Sequence, residues 1–146
     1  MIKLFSIILA MVFTQSCASQ SIKGIDWYLV QLKTGDSIIN IDRDALTEDG
    51  MENWFSLRFN ENRIYGKAAP NNYNADCFIN SDSSIRMGVI ASTKMMAFRE
   101  AAALKEHSYF EHLAKVTNWA LSPLGYLELY YTNTNGQRVS LVFNVK

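Results

Sequence analysis

From Trp27 onward the chain is cut into short runs of alternating apolar and polar residues closed by Asn, Gly or Ser, and this rhythm restricts it to an antiparallel β fold. Trp27–Leu32, Ser37–Ile41, Trp54–Phe59, Arg63–Lys67, Tyr73–Ile79, Ser84–Ile90, Val116–Leu121, Gly125–Tyr131 and Arg138–Val145 read as strands. The links Asn60-Glu61-Asn62, Asn80-Ser81-Asp82-Ser83 and Asn133-Thr134-Asn135-Gly136 predict hairpins, because Asn and Gly tolerate the left-handed backbone of a tight turn. Strand pairs therefore follow sequence order. The charged stretch Asp42–Gly50 reads as a solvated loop. One segment breaks the rhythm: between Ala97 and Val116, the run Ala101-Ala102-Ala103-Leu104 with Phe110, Leu113 and Ala114 predicts a single helix with one apolar face. The predicted fold class is α+β, mainly β: a strongly curved antiparallel sheet or incomplete barrel with one helix packed on it, since the two apolar faces must bury each other.

The first residues obey a different logic. Lys3 precedes an uncharged apolar run from Leu4 to Phe13, followed by small polar residues and Cys17. A basic start, an apolar core of about 7–15 residues and small residues before a cut define a secretory signal, too short for a permanent membrane span. A cysteine at the cut reads as a bacterial lipobox. Ser16 fits that pattern, whereas Thr14 and Gln15 stand where a Leu and a small residue are preferred; ordinary secretion, with cleavage after Ser16 or Ala18, is the alternative. Residues 1–16 are assigned to the signal, 17–25 to a lipidated end and flexible tether, and 26–146 to one domain. Acyl chains contribute roughly 0.8 kcal/mol per buried methylene, so several on Cys17 would hold the protein firmly on a membrane. The expected location is the bacterial envelope, with the outer membrane favoured over the inner and the domain in the periplasm.

Removing 16 of 146 residues leaves 130, enough for one core. Fourteen basic residues balance 14 acidic ones with no concentrated block, which argues against nucleic acid as a partner. With Cys17 acylated, Cys77 is left alone in a strand-like stretch, where a small buried hydrophobe is the expected role.

The candidates for chemistry are sparse. His107 and His112 lie five apart on the predicted helix, about 140° from one another, and cannot share a metal there. The run from Asp42 to Gly50 lacks the ligand and glycine spacing of a calcium loop. Ser92-Thr93 has no nucleophile elbow around it, so its hydroxyls are expected to cap the following helix. Asn71 and Asn72 suit a tight turn after Pro70. Trp54, Phe55, Tyr65, Trp119, Tyr126, Tyr130 and Tyr131 serve either the core or an apolar pocket for a lipid or extended peptide. No catalytic residue, metal or cofactor is expected.

Particular residues then resemble a known family. Trp27-Tyr28-Leu29, the turn Gly66-Lys67-Ala68-Ala69-Pro70-Asn71-Asn72-Tyr73, and Ala91-Ser92-Thr93-Lys94-Met95-Met96-Ala97 are similar to the motifs of the META domain family, which includes HslJ-like envelope lipoproteins. The resemblance extends over essentially the whole mature chain. It singles out Trp27, Gly66, Asn71, Tyr73, Ser92, Thr93 and Met95 as structural motif residues. It implies a non-enzymatic envelope protein linked with heat or drug tolerance, acting as a monomeric binding or interaction module; the runner-up is a carrier or secretion-pilot-like protein with a cavity for a hydrophobic ligand. Both cysteines of the family pattern are replaced here, by Pro70 and Ala97. If they pair in relatives, the resemblance implies that these two sites are close in space.

Overall fold

The computed structural model describes residues 21–96, 101 and 103–146. The predicted signal, Cys17, Ala97 and the start of the predicted helix lie outside the described residues.

Among the described residues ten strands and two helices follow in chain order: β1 Asp26–Thr34, β2 Ser37–Asn40, α1 Arg43–Glu48, β3 Ser56–Asn60, β4 Arg63–Lys67, β5 Asn72–Ile79, β6 Ile85–Met87, β7 Ala91–Ser92, α2 Glu106–Ala114, β8 Asn118–Leu121, β9 Leu127–Thr132 and β10 Arg138–Asn144. The sheet runs β6-β5-β4-β3-β1-β10-β9-β8, with β2 added beside β1 and β7 beside β5. Its ends meet. Ser84 bridges Asn118, the Ile85 amide donates to the Thr117 carbonyl at 2.7 Å, and the Trp119 amide to the Ser83 carbonyl at 3.0 Å, which nearly closes the sheet into a barrel.

β1 organises this closure. Its first residues pair with β3 and its later ones with β2, while β10 runs along the other edge. A register shift between Leu29 and Gln31 inserts one extra residue. Trp27, Leu29 and Leu32 therefore all face inward although their spacing changes from two to three, and the strand bends there as bulged strands do. Leu57, Phe59, Ile64, Tyr73, Ala75, Leu127, Leu129, Val139, Leu141 and Phe143 complete the wall of the core. From α2, Tyr109 and Leu113 enter it one turn apart.

The helices depart from expectation. The charged stretch after Asp42 is not a loop but α1. Asp42 accepts from the Ala45 amide at 3.0 Å, and Gly50, at φ +72°, ends the helix with its amide on Thr47 and that of Met51 on Leu46. That is a side-chain N-cap followed by a Schellman C-cap. In contrast, α2 is shorter than the predicted span, because Ala101, Ala103 and Leu104 precede it in non-helical backbone. Alanine favours helix, but Leu104 is buried outside α2 and Glu106 is pinned from across the fold, so tertiary contacts set the start. The Asn60–Asn62 hairpin forms, with Glu61 rather than an Asn at positive φ. Packed structure also begins earlier than the assigned tether allows: Ile22 is buried, and its carbonyl accepts from Trp27 Nε1 at 3.0 Å.

Candidate functional site

The polar groups of the motif turn converge under α2. Asn71 is only 4% exposed although its side chain is polar. Its Nδ2 donates to both carboxylate oxygens of Glu106, at 2.9 and 3.1 Å, and to the Met95 carbonyl at 3.2 Å. Its Oδ1 accepts from Thr93 Oγ1 at 2.9 Å and from the Met95 amide at 2.6 Å. Thr93 Oγ1 also accepts from the Asn72 amide at 3.2 Å. One carboxamide thus ties the β4–β5 turn to the segment after β7 and to the first residue of α2. Every hydrogen-bonding position of that amide is used.

A second layer lies directly beneath. The Tyr73 hydroxyl donates to the Ser56 carbonyl at 2.8 Å and lies 2.8 Å from the Tyr109 hydroxyl. Burial pushes both phenols up from their ordinary value, that of Tyr73 well above it, so both stay neutral. Gly66 makes room for the pair. A Cβ there would collide with the Ser56 carbonyl oxygen and sit 2.6 Å from the Tyr73 hydroxyl. Phe55 and Phe110 pack against these rings at centroid distances of 5.4 Å, from Phe55 to Tyr109 and from Tyr73 to Phe110.

The motif residues chosen from the sequence separate into two groups. Gly66, Asn71, Tyr73, Thr93 and Met95 come together, Met95 through its backbone while its side chain is 60% exposed. Trp27 anchors the N-terminal segment elsewhere, and Ser92 stays exposed on β7. The expected capping of the helix by Ser92 and Thr93 does not occur, because α2 begins only at Glu106 and Thr93 is engaged with Asn71 and Asn72. Ser56, Glu106 and Tyr109 complete the cluster and carried no sequence signal of their own.

The remaining candidates are dispersed. His107 Nε2 lies 3.7 Å from Glu111 on the surface, while His112 Nδ1 meets the Tyr131 hydroxyl at 2.8 Å. Burial first, then Lys115, lowers the His112 pKa from its ordinary value. Cys77 is buried and its thiol is pushed up to about 11 by desolvation, so it is neither ionised nor reactive at neutral pH. Among the described residues no group of three His, Cys, Asp or Glu side chains is placed to hold a metal ion.

The aromatics do not line one cavity. Trp54, Phe55 and Tyr131 are buried, Tyr65 is exposed, and Trp119, Tyr126 and Tyr130 lie between. Concave surfaces occur on the outside instead. A groove of about 500 Å³ crosses the outer sheet face between Asn40 and Tyr126, floored by Val30, Ile41 and Val142. Another, of about 430 Å³, lies under β2 between Leu32, Ile39, Leu104 and His112. A third, of about 290 Å³, sits beside Asn71 between Trp54, Pro70 and Leu104.

The sequence profile of the META domain matches residues 20–144. The chain belongs to the META domain family. A solved structure described as the NMR structure of the protein from Burkholderia xenovorans is similar, with a TM-score of 0.60 at 14% identity over 86% of this chain and 83% of that one. At that identity the likeness concerns the fold alone. No curated protein gives a significant match. In this META domain the motif turn is a three-way joint. Pro70, at one of the two positions where the family pattern has cysteine, adjoins Asn71, and Asn71 bonds both backbone polar groups of Met95, two residues before Ala97.

Proposed function

We propose that this META domain is a non-catalytic envelope module, tied to a membrane by an acylated Cys17, that serves stress tolerance by binding or interaction. The observation that carries the reading is that the polar side chains of the motif cluster bond to one another. Asn71, Thr93, Glu106, Tyr73 and Tyr109 spend their polar atoms on one another and on backbone groups, which leaves the joint to position surfaces rather than to transform a substrate. The proposed tether is short. Ile22 is already buried five residues after Cys17, and five extended residues reach no more than roughly 17 Å. The domain would then ride close to the lipid, its N-terminal end inward and the β1–β2 turn at the opposite end of β1. A carrier of acyl chains would instead need room inside the barrel, and Phe55, Phe59, Tyr109 and Phe143 occupy that space.

Fractionation of cells producing the protein or its Cys17→Ala variant tests the proposal. The parent chain should stay with membranes through high-salt and carbonate washes, whereas the variant should be released. Equal retention of both would refute the anchor. Deleting the protein should lower survival of heat or drug challenge, and only the acylatable chain should restore it.

A further inference from the structure

A barrel removes the free strand edges that otherwise recruit other chains, and this one nearly closes through Ser84 and Asn118. β2 is left outside that closure. Among the described residues it pairs with β1 alone, in the register Leu32 with Ile39 and Thr34 with Ser37, and the Ile41 amide donates to the Val30 carbonyl at 2.9 Å. In an antiparallel ladder the bonded pairs alternate, so Val30–Ile41, Leu32–Ile39 and Thr34–Ser37 are the bonded ones. The amide and carbonyl groups of Ile38 and Asn40 therefore point away from β1. All four residues of β2 are exposed, Ile38 at 53% and Ile39 at 38%, and the strand carries neither the Lys nor the Pro that usually blunts an edge. On its inner side the groove formed by Leu32, Ile39, Leu104 and His112 opens directly at this edge.

Resting on the reading of the domain as an interaction module, we propose that β2 is a docking edge for an extended apolar segment of a partner protein, which adds as a further strand. Strand addition draws affinity from main-chain hydrogen bonds and selectivity from pockets that take alternate side chains. Here two rungs come from Ile38 and Asn40. The side chain lying next to Ile39 enters the groove against Leu104, and the neighbouring ones lie beside Asn40 on the outer face. A second copy of the chain is the poorer occupant. A four-residue strand is about 13 Å long, and two such edges side by side cover far less than the roughly 1,200 Å² at which stable interfaces begin. A flexible peptide needs only the edge and the groove.

The probe is the synthetic peptide Lys-Val-Thr-Val-Thr-Val-Lys, with Lys-Val-Thr-Pro-Thr-Val-Lys as its control, added to protein extracted from membranes in detergent. Hydrogen exchange followed by mass spectrometry should slow severalfold in fragments spanning Ser37–Asn40 with the first peptide and not with the second. Ile38→Pro removes an outward amide without touching the β1 ladder, and it should abolish the protection while leaving the thermal midpoint nearly unchanged. Should proline disturb the ribbon, Ile39→Lys, which fills the groove with a charged chain, must weaken protection at least fivefold in peptide concentration. Unchanged exchange at millimolar peptide, protection confined to other strands, or protection that follows self-association would each overturn the proposal. The intact mass of the same preparation reports acylation separately, so failure of the anchor and failure of the docking edge are distinguishable.

Discussion

Asn71 stands at a junction that no other side chain could serve equally well. An amide offers two donors and an acceptor in one plane, and here the donors meet a carboxylate and a carbonyl while the acceptor meets a hydroxyl and an amide. Asn71→Ala leaves those buried groups without partners, and the expected loss is about 2–4 kcal/mol, the range for breaking a buried network around a charged group. Asn71→Asp should be worse at neutral pH, because it sets a second carboxylate against Glu106, and should recover on acidification. Chemical denaturation of both variants at pH 7 and pH 5 checks the two statements together. At Gly66 the constraint is space. Gly66→Ala should cost at least about 2 kcal/mol, since the added carbon meets backbone at Ser56 and cannot be relieved by a rotamer change. The motif residues were visible in the sequence as a pattern, but their partners were not. Glu106 and Tyr109 are 35 and 36 residues from Asn71 and Tyr73, and nothing local to a glutamate or tyrosine on a helix announces such a contact.

Periodicity exposed the strands well, because alternation depends only on which face of the sheet is buried. The helices were less legible, for opposite reasons. Composition spoke for helix through Ala101–Leu104, yet tertiary bonds outweighed it. Around α1 the cap residues Asp42 and Gly50 held the signal while acidic residues suggested a loop. Asp42→Ala should therefore lower stability by about 1 kcal/mol, the usual worth of an N-cap, rather than the near-zero change expected of a loop residue. On α2, His112 makes a pH prediction. Its folded-state pKa is lowered, so the unfolded chain binds a proton more readily. The histidine's contribution is complete above pH ~6.5, the unfolded value, and is lost as pH falls through the lower folded value. Lys115 strengthens this effect and Glu111 opposes it. Thermal midpoints measured between pH 7.5 and 5 should fall less steeply for His112→Gln than for the parent chain.

At the scale of the whole molecule, one joint under α2 and one closure between Ser84 and Asn118 turn a meander of strands into a barrel with a filled interior. The closure depends on the bulge in β1, which redirects a long strand but leaves only an altered spacing of Trp27, Leu29 and Leu32 as its trace in the sequence. What this body does depends on where it is held. The proposal places it within a few residues of a lipid-bearing Cys17, with the β2 edge free to meet a partner. Intact mass spectrometry of the protein isolated from its native membranes tests that claim most directly. It should give the chain beginning at Cys17 with the added mass of a diacylglyceryl group on the thiol and an acyl chain on the freed amino group. An unmodified chain, beginning at Cys17 after cleavage behind Ser16 or at Ser19 after cleavage behind Ala18, would contradict it.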